Sequence, residues 1–150
     1  CVSQGVSGFA YYFFDKFPKI ANNHYEYIKK EKVFATNLYD IANNKLLVNM
    51  YSQYYPGNPS NNNFLHKNYT YIDNFHIRIS GLKSCLKSIL NLNFIKPDAV
   101  LGIPLVASGI GADNKLRKGI TDLEYFKKYI ESVILNSFNN TKITINVYYL

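Results

Sequence analysis

Apolar residues recur at helical spacing in two long segments of the chain. They are three or four residues apart in residues 72–89, and again in residues 122–134 after Asp122, the expected N-cap. The first stripe consists of Ile72, Phe75, Ile79, Leu82, Leu86 and Ile89, with Arg78, Lys83 and Lys87 on the other face. The second stripe consists of Leu123, Phe126, Ile130, Val133 and Ile134. Both segments predict amphipathic helices, and shorter helices are expected over residues 8–17 and about 21–30.

Short runs of β-branched and aromatic residues predict strands between these helices. Residues 33–38 and 46–51 flank Asn43-Asn44, a pair suited to the tip of a hairpin. The continuously apolar residues 100–106 are typical of a strand covered on both faces, whereas residues 142–150 alternate and predict a strand whose two faces differ. This order of elements predicts a single α/β domain, a sandwich with a mixed sheet.

Residues 54–68 are rich in Pro, Gly, Ser and Asn and predict one long loop. Loops of this length inside a folded domain are uncommon and often functional. Among the three histidines, which are dispersed, His66 in this loop is the one acid/base candidate. Tyr54, Tyr55 and Phe64 are aromatic residues suited to stacking on a nucleobase or ribose, with core or surface packing as the alternative.

Composition narrows the class of protein. The chain has 150 residues, 47% of them hydrophobic and 18% charged, which excludes a disordered or fibrous protein. No apolar run approaches the ~20 residues that cross a bilayer, so we expect a cytoplasmic protein without a membrane partner, in the host cytoplasm if the source is viral. No basic and apolar leader is present at Cys1, so we expect no signal peptide; a fragment of a longer protein is the alternative.

Cysteine content and charge add two expectations. Cys1 and Cys85 form no CxxC or Cys/His cluster, so we expect no metal site and a reducing compartment, with a single disulfide left open. The net charge of +7 favours an anionic partner such as a nucleotide or nucleic acid. Because the lysines are scattered along the chain, a solvated basic surface is the alternative interpretation.

Two segments of small residues are suited to binding phosphate. Ser108, Gly109, Gly111 and Ala112 follow a predicted strand, and Gln4-Gly5-Val6-Ser7-Gly8 precedes a predicted helix. Backbone N–H groups in such segments can approach an anion closely, and ligands usually bind at the carboxyl ends of strands in α/β sheets. Neither segment has the lysine of GxxxxGK[ST] or the full GxGxxG pattern. Together they favour a diphosphate held between two loops, with a simple tight turn as the alternative for each.

Four segments, in order, carry a resemblance to a known family. They are CVSQGVSGFA at residues 1–10, before a helix that ends in Phe17-Pro18; VNMYSQ at 48–53; YIDNF at 71–75; and GIPLVASGIG at 102–111. These segments resemble the ligand loops, central strand and long helix of the macro domain family. The similarity is greatest to the branch that contains ADP-ribose-1″-phosphate phosphatases and terminal ADP-ribose–protein glycohydrolases.

The resemblance implies a three-layer α/β/α sandwich with a mixed sheet and an ADP-ribose cleft. The family's leading strand, with its adenine-binding acidic residue, has no counterpart before Cys1, so this strand is expected to be missing. The implied ligand contacts are Gly5, Val6, Ser7, Gly8, Ala10, Gln53, Ala107, Ser108, Gly109, Ile110, Gly111 and Ala112. We expect a monomer that needs neither metal nor other cofactor and binds ADP-ribose or an ADP-ribosylated protein.

Departures from the family pattern bear on catalysis. The asparagine implicated in catalysis is replaced around Val2 and Ser3, and Gln53 and Gly111 occupy the glycohydrolase lysine and aspartate positions. Asp113, two residues further on, is the one catalytic candidate. Binding is therefore better supported than hydrolysis of ADP-ribose-1″-phosphate or of ADP-ribose–protein linkages. A non-catalytic reader of ADP-ribose, poly(A) or RNA, and a degenerate macro fold kept as a scaffold, are the alternatives.

Overall fold

The computed structural model describes residues 9–22, 36–42, 45–52, 63–66, 69–92, 95–96, 98–105 and 123–148. The helices are α1 (Phe9–Lys16), α2 (Phe75–Leu90) and α3 (Leu123–Asn136). The strands are β1 (Thr36–Ala42), β2 (Lys45–Met50), β3 (Asn63–His66), β4 (Tyr69–Ile72), β5 (Val100–Pro104) and β6 (Thr144–Tyr148). The predicted α/β class is confirmed.

The helices predicted from apolar spacing are present. In α3 the side chains of Ile130, Val133 and Ile134 are buried, as the predicted stripe requires. Helix α1 ends just before Phe17, and residues 18–22 are again helical. Pro18 therefore stands at the start of the second helical stretch, where its missing N–H costs nothing.

The long helix α2 begins later than its apolar stripe predicts. Ile72 belongs to β4 and is 44% exposed, so the YIDNF segment opens the helix only at its last residue. The extended backbone of Asn74 (φ −129°, ψ 167°) ends the strand, and its side chain caps the helix. Asn74 Oδ1 accepts a hydrogen bond of 2.8 Å from the N–H of Ile77, which satisfies a donor that lacks a partner inside the helix.

Two antiparallel hairpins lie between α1 and α2. Strand β1 pairs with β2 from Thr36 opposite Met50 to Ala42 opposite Lys45, so the two asparagines lie at the predicted position between the strands. Strand β3 pairs with β4, from Asn63 opposite Ile72 to His66 opposite Tyr69. The prediction of one long loop over residues 54–68 is therefore wrong at its carboxyl end. The partner strand there is β4, whose last residue, Ile72, was predicted to belong to the long helix.

Strands β5 and β6 pair in parallel, with Val100 opposite Thr144 and Pro104 opposite Tyr148. Leu101 and Ile103 face the core, whereas Val100 is 66% exposed, so the expectation that this strand is covered on both faces is wrong at its start. The predicted alternation of β6 is confirmed, with Ile145 and Val147 half-buried. In the described part of the chain the strands form three separate two-stranded sheets.

The main core unites α2, α3 and β5. It consists of Phe75, Ile79, Leu82, Leu86, Ile89, Ile103, Leu105, Ile130, Val133, Ile134 and Phe138. Strand β2 connects this core to a second cluster, because Val48 and Met50 pack against the main core while Leu47 packs against Phe14 and Ile20. Successive side chains of a strand point to opposite faces, so β2 has apolar partners on both sides.

Candidate functional site

The carboxyl end of β5 is fixed to the neighbouring strand. Leu105, the residue after the strand, donates its N–H to the carbonyl of Tyr148 at 2.8 Å, and its side chain is buried. This bond extends the parallel pairing beyond Pro104. Leu105 is the last described residue at this end of the strand, and it lies three residues before Ser108.

Most of the predicted ligand contacts lie outside the described residues. These are Gly5, Val6, Ser7, Gly8, Gln53, Ala107, Ser108, Gly109, Ile110, Gly111 and Ala112, together with the catalytic candidate Asp113. Ala10 is described and lies in α1, one residue after the helix begins. The predicted diphosphate contacts therefore stay predictions.

The histidine and aromatic candidates are placed only in part. His66 and Phe64 both lie in β3, so His66 belongs to a strand and not to the predicted loop. His76 is exposed on α2, in agreement with a surface histidine. His24, Tyr54 and Tyr55 lie outside the described residues.

One polar atom near the end of β2 is buried without a partner. The side-chain nitrogen of Asn49 has no hydrogen-bond acceptor among the described residues. Asn49 shares a face with Leu47, the face that packs against the α1 cluster. An amide donor buried in this way is uncommon and requires an explanation, such as a ligand atom that completes it. It belongs to the segment that resembles the central strand of the macro domain family.

The segment after β2 is anchored to α2. Tyr51 is 1% exposed, and its backbone forms a hydrogen bond with the buried thiol of Cys85. Burial raises the pKa of the Cys85 thiol from 9.0 to about 11, an effect that the Tyr51 backbone partly opposes. Cys85 forms no disulfide with another described residue, and its thiol lies in the core, protonated at neutral pH and poorly suited to nucleophilic chemistry.

A buried ion pair joins β4 to α2. Arg78 Nε donates to Asp73 Oδ1 at 2.6 Å, and Arg78 Nη2 donates to Asp73 Oδ2 at 2.7 Å. Both residues are buried, with 1% of Asp73 and 3% of Arg78 exposed. The prediction that Arg78 lies on the solvent face is therefore wrong. The sequence carries a signal for this position, because Arg78 lies four residues before Leu82 and seven before Cys85, on the apolar stripe.

An open groove between α2 and α3 was not recognised from the sequence. It has a volume of about 550 Å³, and its walls carry Lys83 and Lys87 from α2 and Tyr129, Ser132 and Asn136 from α3. The residues of each wall lie three or four apart and so share one face of their helix, but this spacing does not reveal that the two faces meet. The groove is remote in sequence from both predicted phosphate loops.

The described residues contain no group of three or more His, Cys, Asp or Glu side chains that could hold a metal ion. Their helices are too short or too polar to pass through a bilayer.

Comparison of the chain with protein-family models, with curated proteins and with solved structures found no match. A function for the chain is therefore inferred from its own residues and geometry.

Proposed function

We propose that the chain binds ADP-ribose or an ADP-ribose derivative between the small-residue segments 5–8 and 108–112, in a three-layer sandwich of the macro domain type. The observation that carries this proposal is the parallel pairing of β5 with β6, which reaches the buried Leu105, three residues before the second segment. Ligands of α/β proteins bind outside the carboxyl ends of such strands. The position of this segment in the chain is thus the one that a phosphate site requires.

Helix α1 supports the proposal from the other side. It begins at Phe9, directly after Gly8, and has no acidic residue in its first turn. The unpaired N–H groups and the dipole at a helix N-terminus favour an anion. No carboxylate of the first turn competes with a phosphate there.

The contacts of β2 support the layered architecture. Leu47 packs towards α1, and Val48 and Met50 pack towards the core that contains α2 and α3. A strand of the middle layer in an α/β/α sandwich has helices on both faces, as β2 does.

Titration calorimetry with ADP-ribose tests the binding proposal. Gly109→Glu and Gly111→Glu should each weaken binding by at least about tenfold, roughly 1.4 kcal/mol, because a carboxylate would occupy the nest and repel the diphosphate. Asn140→Glu adds the same charge at an exposed turn position and should bind as the wild type does. Absence of heat at millimolar ADP-ribose, or unchanged affinity in both glycine variants, would reject the proposal.

Hydrolysis of ADP-ribose-1″-phosphate or ADP-ribose–protein linkages is the second candidate function. Asp113 supports it, since this acid follows the second segment and is suited to orienting a water molecule. Release of ADP-ribose from a modified protein should be lost in Asp113→Asn. If ADP-ribose binds but neither the wild type nor Asp113→Asn releases ADP-ribose from the modified protein, the chain is a non-catalytic reader. If the variant releases it as fast as the wild type does, Asp113 has no role in the reaction.

A further inference from the structure

The groove between α2 and α3 has the charge of an anion site. Lys83 and Lys87 lie one turn apart on α2, both are exposed, and the lining contains no acidic residue. None of the described carboxylates forms an ion pair with either lysine. Two positive charges about 6 Å apart along one helix are therefore available to an external ligand.

The facing wall of the groove, on α3, carries aromatic and polar groups. The Tyr129 side chain is 39% exposed, and its ring lies 6.3 Å from the ring of Phe75, which supports it from the core side. Ser132 and Asn136 continue the same face of α3, one turn and two turns further along. Ser132 Oγ donates to the Tyr129 carbonyl and Asn136 Oδ1 accepts from Asn139, so the Ser132 oxygen can still accept and the Asn136 amide nitrogen can still donate. Together with the exposed Tyr129 ring, these groups are suited to a planar, hydrogen-bonding ligand.

We propose that this groove binds single-stranded nucleic acid, with backbone phosphates at Lys83 and Lys87 and a base stacked on Tyr129. Single-strand sites combine a basic groove that follows the backbone with aromatic side chains on which bases stack, and this groove has both. A duplex would not serve, because its bases are already stacked on each other and offer no free face to the Tyr129 ring. The volume of about 550 Å³ is in the range of sites that take a nucleotide-sized ligand.

The net charge of +7 favours the same partner. Leu90 and Val133 form the apolar part of the groove, against which the edges of a base or sugar can pack. None of the residues that line the groove belongs to the proposed ADP-ribose loops, so the two proposals can be tested independently.

Fluorescence anisotropy with a labelled single-stranded RNA of about a dozen nucleotides tests the proposal. Lys83→Ala/Lys87→Ala should weaken binding and reduce the slope of log K against log salt concentration by about 1.4, since each phosphate contact on a single strand contributes about 0.7. Lys96→Ala/Lys142→Ala removes two exposed lysines outside the groove and is the matched control. It should change affinity little and leave the slope nearly intact.

The aromatic part of the site is tested with Tyr129→Leu and Tyr129→Phe. Loss of stacking should weaken binding about fivefold or more in the leucine variant, whereas phenylalanine keeps a stacking face and should bind nearly as the wild type does. Thermal unfolding of both variants checks that the contact with Phe75 is not needed for folding.

Several results would overturn the proposal. Equal loss in the two lysine pairs would show diffuse attraction of a polyanion to the surface. If heparin displaces the RNA and Tyr129→Leu binds RNA as tightly as the wild type does, the groove is an anion site that does not recognise bases. Displacement by ADP-ribose would place the RNA in the proposed ADP-ribose cleft, and absence of binding at about 50 mM salt would remove the site altogether.

Discussion

Arg78 and Asp73 form a bidentate ion pair across the junction where β4 ends and α2 begins, with N–O distances of 2.6 and 2.7 Å. The pair spans the N-cap residue Asn74, so the strand, the cap and the first turn of the helix are held as one unit. Both side chains are almost fully buried. Each charge depends on the other, because water is not available to replace it.

Removal of either partner should therefore destabilise the fold strongly. We expect Arg78→Ala and Asp73→Ala each to lower the free energy of unfolding by about 3–5 kcal/mol, since each breaks a buried, bidentate ion pair. Urea denaturation followed by circular dichroism measures this loss.

A double-mutant cycle supplies the control for this pair. Asp73→Ala/Arg78→Met removes both charges and keeps an apolar side chain of similar length, so it should cost far less than the sum of the two single losses. Additive losses would show that the two side chains do not depend on each other. The stability of Arg78→Lys should lie between those of the wild type and Arg78→Ala, because lysine keeps the charge but cannot form the two parallel hydrogen bonds.

The Asn74 cap gives a second prediction. Asn74→Ala removes the acceptor of the Ile77 N–H and should cost about 1 kcal/mol of stability. Asn74→Asp and Asn74→Ser retain an acceptor and should remain close to the wild type. Urea denaturation midpoints of the three variants make the comparison, and an alanine variant as stable as the serine variant would contradict the capping role.

The buried amide nitrogen of Asn49 gives a third prediction. Asn49→Leu replaces an amide that has no acceptor among the described residues with an apolar group of similar size, so stability should be unchanged or increased. Calorimetry of the same variant should show weaker ADP-ribose binding if the ligand supplies the missing acceptor. A loss of stability above about 1 kcal/mol would show that the amide is already satisfied in the free protein.

The Cys85 thiol gives a prediction for alkaline pH. Its pKa is raised by burial from 9.0 to about 11, so the folded state holds its proton more tightly than the unfolded state does. The resulting stability is present in full below pH 9.0 and is lost as the pH rises through about 11. Denaturation midpoints across this range measure the loss.

The control for this pH effect is Cys85→Ala. The 14 tyrosines and the lysines also titrate at alkaline pH, so only the difference between the two proteins reports on the thiol. The variant is expected to be less stable at neutral pH because it loses buried atoms, but its stability should fall less steeply above pH 9.0. Parallel profiles would contradict the assignment.

The pattern of apolar residues predicted elements that bury one face. The stripe of α3 and the alternation of β6 both emerged as expected, because in each the burial of one face decides the conformation. The hairpin of β1 and β2 was predicted from the strand-type residues that flank Asn43-Asn44, although its first strand continues to Ala42 and does not end at residue 38. Element class was thus better predicted than element bounds.

The errors have local physical causes. Ile72 lies three residues before Phe75 and so fits a helical stripe, yet Asp73 and Asn74 stop the helix there by pairing with Arg78 and capping Ile77. Position 78 carries a charge, and spacing alone cannot reveal that a partner five residues earlier lets it be buried. The exposure of Val100 likewise depends on what packs against the strand, which is a tertiary property.

The sequence likewise predicted one part of the candidate functional region and missed another. The small-residue segments were recognised from composition and from the family resemblance, and their ligand contacts remain predictions. The groove between α2 and α3 depends on the relative placement of two helices that are more than thirty residues apart. Lys83 and Tyr129 carry no signal of proximity in the sequence, although each lies on a regular helical face.

The parallel pairing of β5 with β6 also has a consequence for how the chain folds. Pro104 meets Tyr148, so about forty residues must be enclosed before these strands can pair, whereas the β1–β2 and β3–β4 hairpins each close within a few residues. Distant pairings of this kind slow folding, because chain entropy is lost before contacts are gained. The hairpins and helices are therefore expected to form first, and the β5–β6 pairing, which the bond from Leu105 to Tyr148 extends, to complete the domain late.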